Sequence, residues 1–169
     1  LSRLMNNLLY SLGILLSLLA MVSAAYQVAV LIACVRHLVM GGTPVRNPQP
    51  ISILKPVRGL DPDFLDAIRS HANQDYEAPF ELLFGAADVN DPCLPLIEQL
   101  RLEFPQVPIK LIHSKTKAPN AKVGVLMDLV PYAQHPLLLV NDSDILVPPG
   151  YLRKVSAPLD HAHVGLCTC

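Results

Sequence analysis

The chain has 169 residues, a formal net charge of −1 and 51% hydrophobic residues. That balance leaves no basic excess of the kind nucleic acids bind, so this partner class is set aside. Its four cysteines do not make a disulfide framework in a chain of this kind.

Leu4 to Val35 contains no Asp, Glu, Lys or Arg. The densest part, Leu8 to Val35, would be about 42 Å long as a helix, against a hydrocarbon core of about 30 Å. Residues 1–40 are therefore predicted to be a transmembrane anchor, tilted or with its ends in the headgroups. A signal peptide cleaved after Val22-Ser23-Ala24 is the rival reading. Its apolar core should run only about 7–15 residues, whereas Val28 to Val35 continues apolar past that point. Arg36, Arg46, Lys55 and Arg58 follow the span and only Arg3 precedes it. This bias predicts a membrane protein whose remaining chain faces the cytoplasm. Residues 41–50, two glycines followed by three prolines among polar residues, read as a linker.

Beyond the linker, residues 51–169 alternate between strand and helix patterns. Strands are predicted at Ile51 to Leu54, Glu81 to Phe84, Ile109 to Ile112, Leu137 to Val140 and Val164 to Cys167. Asp61-Pro62 opens a helix with Phe64, Leu65, Ile68 and Ala72 inward, and Asp91-Pro92 opens one with Leu96, Ile97, Leu100 and Phe104. A third runs from about Asn120 to Val130 with Val123, Leu126 and Leu129, and a short one follows Pro149. The alternation predicts an α/β fold, a parallel sheet with helices on both faces. Ligands of such sheets bind outside the carboxyl ends of the strands.

The fourth strand, read as a buried one, ends in Asn141-Asp142-Ser143-Asp144. Carboxylates at positions i and i+2 point to one face. Side by side they repel, and a hard cation with oxygen ligands removes that conflict while keeping room for phosphates. Asp142 and Asp144 are thus candidate ligands of Mg²⁺ or Mn²⁺. After the second strand, Asp88 is placed to accept hydrogen bonds from a nucleobase or ribose, with Gly85, Ala86 and Ala87 leaving room for a planar ring. Asp91 is explained as well by helix capping. The third loop carries His113, Lys115, Lys117, Asn120 and Lys122, cations able to face a diphosphate beside a helix start. Lys122 falls inside that start, which sets it apart from an ordinary solvated lysine. Lys55 is read evenly as functional or solvated. Cys167 and Cys169, with His161 and His163 nearby, lack the usual zinc spacing and read as small buried thiols on a last strand. No dinucleotide-binding, P-loop or nucleophile-elbow motif occurs.

The run Ile51-Ser-Ile-Leu-Lys-Pro-Val-Arg-Gly-Leu-Asp61, followed by Gln74-Asp75-Tyr76, Asp88-x-x-Asp91-Pro92, Asn120-x-Lys122 and Asp142-Ser-Asp144, resembles glycosyltransferase family 21, the ceramide glucosyltransferase type. The stretch from Asp142 through Leu159 looks most like a bacterial branch associated with hopanoid biosynthesis. The resemblance implies a GT-A fold preceded by one membrane helix, a UDP-sugar donor, Mg²⁺ or Mn²⁺, and inverting transfer to a membrane lipid hydroxyl. It places Asp88, Asp91, Asn120, Lys122 and Asp142 at the donor and Asp142 with Asp144 at the metal. Where the family has a polar stretch after the lysine, this chain has Gly124-Val125. Both ends read as cut, so the general base is expected downstream of Cys169. Two alternatives stay open: an Asp-x-Asp phosphatase of haloacid dehalogenase type and a non-catalytic nucleotide-binding remnant.

Overall fold

The computed structural model describes residues 2–39 and 47–168 and divides into two units, Leu1–Gly42 and Thr43–Cys169. The first is one helix, α1 (Ser2–Val39), about 57 Å long at 1.5 Å per residue. Its stretch Met5–Arg36 has a mean hydropathy of 2.2, and none of its most apolar window is buried within the molecule. The hydroxyls of Ser11 and Ser17 donate to the carbonyls of Asn7 and Gly13, four residues back, which satisfies these polar groups within the helix itself. Of the expected linker, residues 41–46 lie outside the described residues, and 47–50 are irregular.

The second unit runs β1 (Ile51–Val57), α2 (Phe64–Ala72), β2 (Phe80–Ala86), α3 (Leu94–Glu103), β3 (Ile109–His113), α4 (Ala121–Leu129), β4 (Leu137–Val140) and α5 (Tyr151–Ser156). All pairings are parallel, in the order β3-β2-β1-β4. Strand residues alternate between two cores. Ile51, Ile53 and Val57 of β1 with Leu82 and Phe84 of β2 pack under Phe64 and Ile68 of α2, Ile97 and Leu100 of α3, and Leu152 of α5. Leu54 and Leu83 face the other way, under Val125 and Leu129 of α4. Each such leucine or phenylalanine contributes roughly 1.5–3 kcal/mol on burial.

β1 extends three residues past its predicted end, through Lys55-Pro56-Val57. Even-numbered residues of β1 turn their backbone groups toward β4, as the bond from Asn141 N–H to the Leu54 carbonyl shows. The β4 ladder ends at Leu54 opposite Val140. Pro56 therefore lacks its N–H on a side that no longer needs one, the condition under which a strand accepts proline.

At the amino end of the sheet, fully buried Glu81 accepts bonds from the Ser52 hydroxyl (2.7 Å), the Gln134 N–H (2.7 Å) and the Lys110 ammonium (3.2 Å). The Ser52 hydroxyl in turn receives the His135 N–H. Burial alone would push the Glu81 carboxyl up, but those donors together hold it below its usual range.

Several expectations change. The predicted fifth strand at Val164 to Cys167 is irregular chain. A turn closed by Val164 N–H on the His161 carbonyl delivers it beside β4, across a cavity of about 350 Å³ rather than in a ladder. Cys167 consequently lines that cavity, and Cys169 lies outside the described residues. β4 is an edge strand whose Leu138 and Val140 are half exposed, because α4 packs over β2 and β1 instead. In α4 the inward residues are Val125 and Leu129, while Val123 is exposed.

Glycine sets how closely α4 approaches. A Cβ on Gly85 would lie 2.4 Å from Val125 Cγ1 and 3.0 Å from Leu129 Cγ. The space left by Gly85 is thus filled by α4 and not kept for a planar ring. Gly85→Ala is expected to lower unfolding stability by about 1–3 kcal/mol in denaturant titrations, the range for overpacked cores, because valine on a helix has one favoured rotamer. Gly150→Ala, where no atom lies within 4 Å of the new methyl, should change stability by less than about 1 kcal/mol, the scale of chain entropy and capping alone.

Candidate functional site

Strand order reverses between β1 and β4, so their following loops diverge and open a crevice at the carboxyl edge of the sheet. A cavity of about 440 Å³ lies there. It is lined by Pro56 and Val57 at the end of β1 with Arg58 and Asp61 beyond it, Ala87, Asp88 and Asp91 after β2, Ala121, Lys122 and Val125 of α4, and Asp142 to Asp144 after β4. Five sites marked in the sequence, Asp88, Asp91, Lys122, Asp142 and Asp144, therefore meet in one place. Of the third-loop cations, Lys122 alone lines this cavity; His113 and Lys115 line a different one near Asp128.

Each side chain is positioned by local structure. Asn120 does not line the cavity: its Oδ1 caps α4 by accepting the N–H groups of Lys122 (3.0 Å) and Val123 (3.4 Å). The segment before it is folded around Asp128, whose carboxylate accepts the Ser114 and Thr116 hydroxyls and the Lys115 and Thr116 N–H groups. These donors, the Thr116 hydroxyl foremost, hold the Asp128 carboxyl well below its usual range. Gly124 lets α4 lie against this segment, since a Cβ there would be 2.7 Å from the Thr116 carbonyl oxygen. The departure Gly124-Val125 is thus what seats the helix start and carries Lys122 to the cavity.

Asp88 accepts the Asn90 N–H at 2.9 Å on one oxygen. Asp91 is only 6% exposed. Its carboxylate accepts the Gly59 N–H (3.1 and 2.9 Å to its two oxygens) and the Cys93 N–H (3.1 Å). Gly59 has φ of 74°, a left-handed turn that glycine enters without strain. Burial opposes the charge on Asp91, but these N–H groups and the nearby Arg58 outweigh it and hold the carboxyl below its usual range. Burial, with Asp91 beside it, pushes the Cys93 thiol up to about 12, so it stays a neutral core group.

The turn after β4 rests on Lys55, which the sequence alone left undecided. Lys55 is fully buried, and its ammonium donates to Asn141 Oδ1 at 3.1 Å and to the Asp142 carbonyl at 2.7 Å. Asn141 Nδ2 donates to the Tyr151 hydroxyl at 3.0 Å, and the Tyr151 ring meets His71 edge-on, centroids 6.0 Å apart. Burial pushes Lys55 down to about 7, against the pull of the Asp142 and Asp144 carboxylates. From above, the Lys122 ammonium pairs with Asp142 Oδ1. The signals for Lys55 were a charged residue inside an apolar strand and the proline behind it.

No group of three or more His, Cys, Asp or Glu side chains able to hold a metal occurs among the described residues. Two carboxylates on one wall can still take a hard cation whose remaining ligands are phosphate oxygens and water. The Lys122 ammonium on Asp142 shows that this wall accommodates positive charge.

Comparison with known proteins follows from this geometry. Glycosyl transferase family 21 matches residues 14–169. The chain is 29% identical over 116 residues to a ceramide glucosyltransferase of Candida albicans, covering 62% of this chain and 21% of that relative. It is 30% identical over 120 residues to ceramide glucosyltransferase 3 of Caenorhabditis elegans, covering 70% and 26%. The chain thus spans about a fifth to a quarter of the relatives it matches. Among solved structures, the mannosyltransferase PcManGT from Pyrobaculum calidifontis in complex with GDP-Man and Mn²⁺ superposes with a TM-score of 0.63 at 17% identity, over 73% of this chain and 36% of that one. S. aureus TarS 1-349 gives 0.54 at 20% identity, over 66% and 32%. These likenesses establish the GT-A fold.

His71 provides a pH test of the network beneath the aspartates. Burial, then the adjacent Lys55 charge, push the imidazole down to about 4, and its Nδ1 is spent on the Ala67 carbonyl at 2.9 Å. The folded value lies below the unfolded 6.5, so the unfolded state binds the extra proton between them and stability falls as pH drops from about 6.5 toward 4. Denaturant titrations at pH 7.5 and pH 5 should differ by on the order of 2 kcal/mol more for the natural chain than for His71→Phe.

Proposed function

The chain belongs to glycosyl transferase family 21, and on that premise we propose that it carries the donor half of a membrane-anchored enzyme moving a sugar from a UDP-sugar to a lipid hydroxyl. The observation that carries this reading is the meeting of Asp142, Asp144, Lys122 and Asp88 in one cavity at the crevice between β1 and β4. Asp142 and Asp144 would hold Mg²⁺ or Mn²⁺. Bound there, the cation supplies Lewis-acid neutralisation of the departing nucleoside diphosphate. Lys122 and Arg58 add positive charge along the same wall. Asp88, with one oxygen on Asn90, offers the other to the uridine, and Ala87 leaves the wall beside it low. Asp91 shapes the site by fixing the Gly59 turn, and Asn120 by capping the helix that bears Lys122. No general base is assigned among the described residues.

A ceramide- or hopanoid-type acceptor accords with the relatives' names and with α1. The length of α1 and its mean hydropathy of 2.2 support a bilayer anchor, and the sequence excess of positive residues after it, Arg36, Arg46, Lys55 and Arg58 against Arg3 before it, supports a catalytic unit facing the cytoplasm. Sugar nucleotide would then meet the site from water while the acceptor stays in the membrane.

Calorimetry on the full chain in detergent tests the reading. UDP-glucose or UDP-N-acetylglucosamine should bind only with Mn²⁺ present. Asp142→Ala and Asp144→Ala should each weaken that uptake by about a hundredfold, on the order of 3 kcal/mol. Cation-independent binding, or unaltered affinity in both variants, would sink the assignment.

A further inference from the structure

Two lysines flank Asp142, and they are held in opposite ways. Lys55 is sealed under the turn by two hydrogen bonds and full burial. Lys122 reaches Asp142 across the open cavity, with 46% of its side chain exposed and 56% of that of Asp142. Only its backbone is fixed, by the Asn120 cap and by the close approach at Gly124. Its four-carbon stem is free to swing, since lysine is a flexible point charge and an exposed ion pair is weak. The oxygen it occupies, Asp142 Oδ1, belongs to a carboxylate read above as a cation ligand. A divalent cation taken up by Asp142 would lie only a few ångströms from an ammonium held on Oδ1, and the repulsion between the two positive centres sets them in competition for this carboxylate.

We propose that Lys122 is an exchangeable counter-ion: it neutralises Asp142 in the absence of a divalent cation, and passes to a phosphate oxygen of the donor when the aspartates take the cation up. This inference rests on the assignment of Asp142 and Asp144 as cation ligands. The exchange avoids leaving two adjacent carboxylates unneutralised. It also couples the two ligands: the cation frees the lysine, and the freed lysine strengthens the hold on diphosphate. No proton moves and no bond other than the ion pair is broken. Lys55 cannot take this part, because its ammonium has no open path to the cavity and leaving the turn would strand Asn141 Oδ1 and the Asp142 carbonyl.

The exchange demands effects of opposite sign from one exposed substitution. With the full chain in detergent, Mn²⁺ alone is titrated while free Mn²⁺ is followed by electron paramagnetic resonance, and UDP is then titrated at saturating Mn²⁺ by calorimetry. Lys122→Ala should bind Mn²⁺ alone about two- to five-fold more tightly, as a weak competitor is removed. The same variant should bind UDP roughly tenfold or more weakly, as a charge-assisted contact is lost. Unchanged or weaker Mn²⁺ binding in Lys122→Ala overturns the exchange, as does unchanged UDP binding. If the natural chain itself takes up neither Mn²⁺ nor UDP, the assignment of the aspartates fails, a result separable from failure of the exchange alone.

Discussion

An ammonium sealed from water must be surrounded by acceptors, and in this chain the turn after β4 meets that requirement. Lys55 emerges from the middle of the sheet, where an apolar side chain would serve the core better, and its charge is met by Asn141 Oδ1 and the Asp142 carbonyl. Burying it is costly, as its lowered proton affinity records. What the fold gains is a fixed path for two consecutive residues, Asn141 and Asp142, so that the carboxylate of Asp142 starts from a defined backbone. Tyr151 and His71 extend the same support into α5 and α2. Catalytic groups elsewhere are held by such buried outer contacts, and the same logic applies to a cation site.

β4 has four residues and a single neighbour among the strands, so its four-position ladder with β1 is a slender means of fixing register. A one-residue slip would exchange Leu137 and Leu139 for Leu138 and Val140 and would carry both aspartates to the opposite face. Two buried polar networks guard against it. Glu81 and Ser52 gather the Gln134 and His135 N–H groups just before the strand, while Lys55 holds Asn141 and Asp142 just after it. Each network is built from donors and acceptors that fit in one register only, which is how buried polar groups specify structure.

Much of this was readable from residue order. The largely apolar runs that begin at Ile51, Glu81, Ile109 and Leu137, separated by helical spacings, define the parallel sheet, and the loops at their carboxyl ends carry Asp88, Asp91, Lys122 and Asp142. Local patterns did not reveal what depends on distant neighbours. The half exposure of β4 follows from α4 covering β2 and β1, and no periodicity within Leu137–Val140 carries that. An extended apolar run such as Val164 to Cys167 reads identically whether or not a ladder receives it. The true inward face of α4 is set by Gly85 and Gly124, two close approaches made by segments far apart in the chain. Lys55 hid for the same reason: lysine is almost always solvated, and only its acceptors, 86 and 87 residues away, make it otherwise.

The bond from the Gly59 N–H to the Asp91 carboxylate ties the loop leaving β1 to the loop leaving β2. A saturation survey of this protein would therefore flag the two positions as a matched pair. Losses at Asp91 would mimic a missing ligand contact even where the altered side chain never meets a ligand. Genuine ligand contacts would betray themselves differently, altering which ligand is preferred without coupling to Gly59.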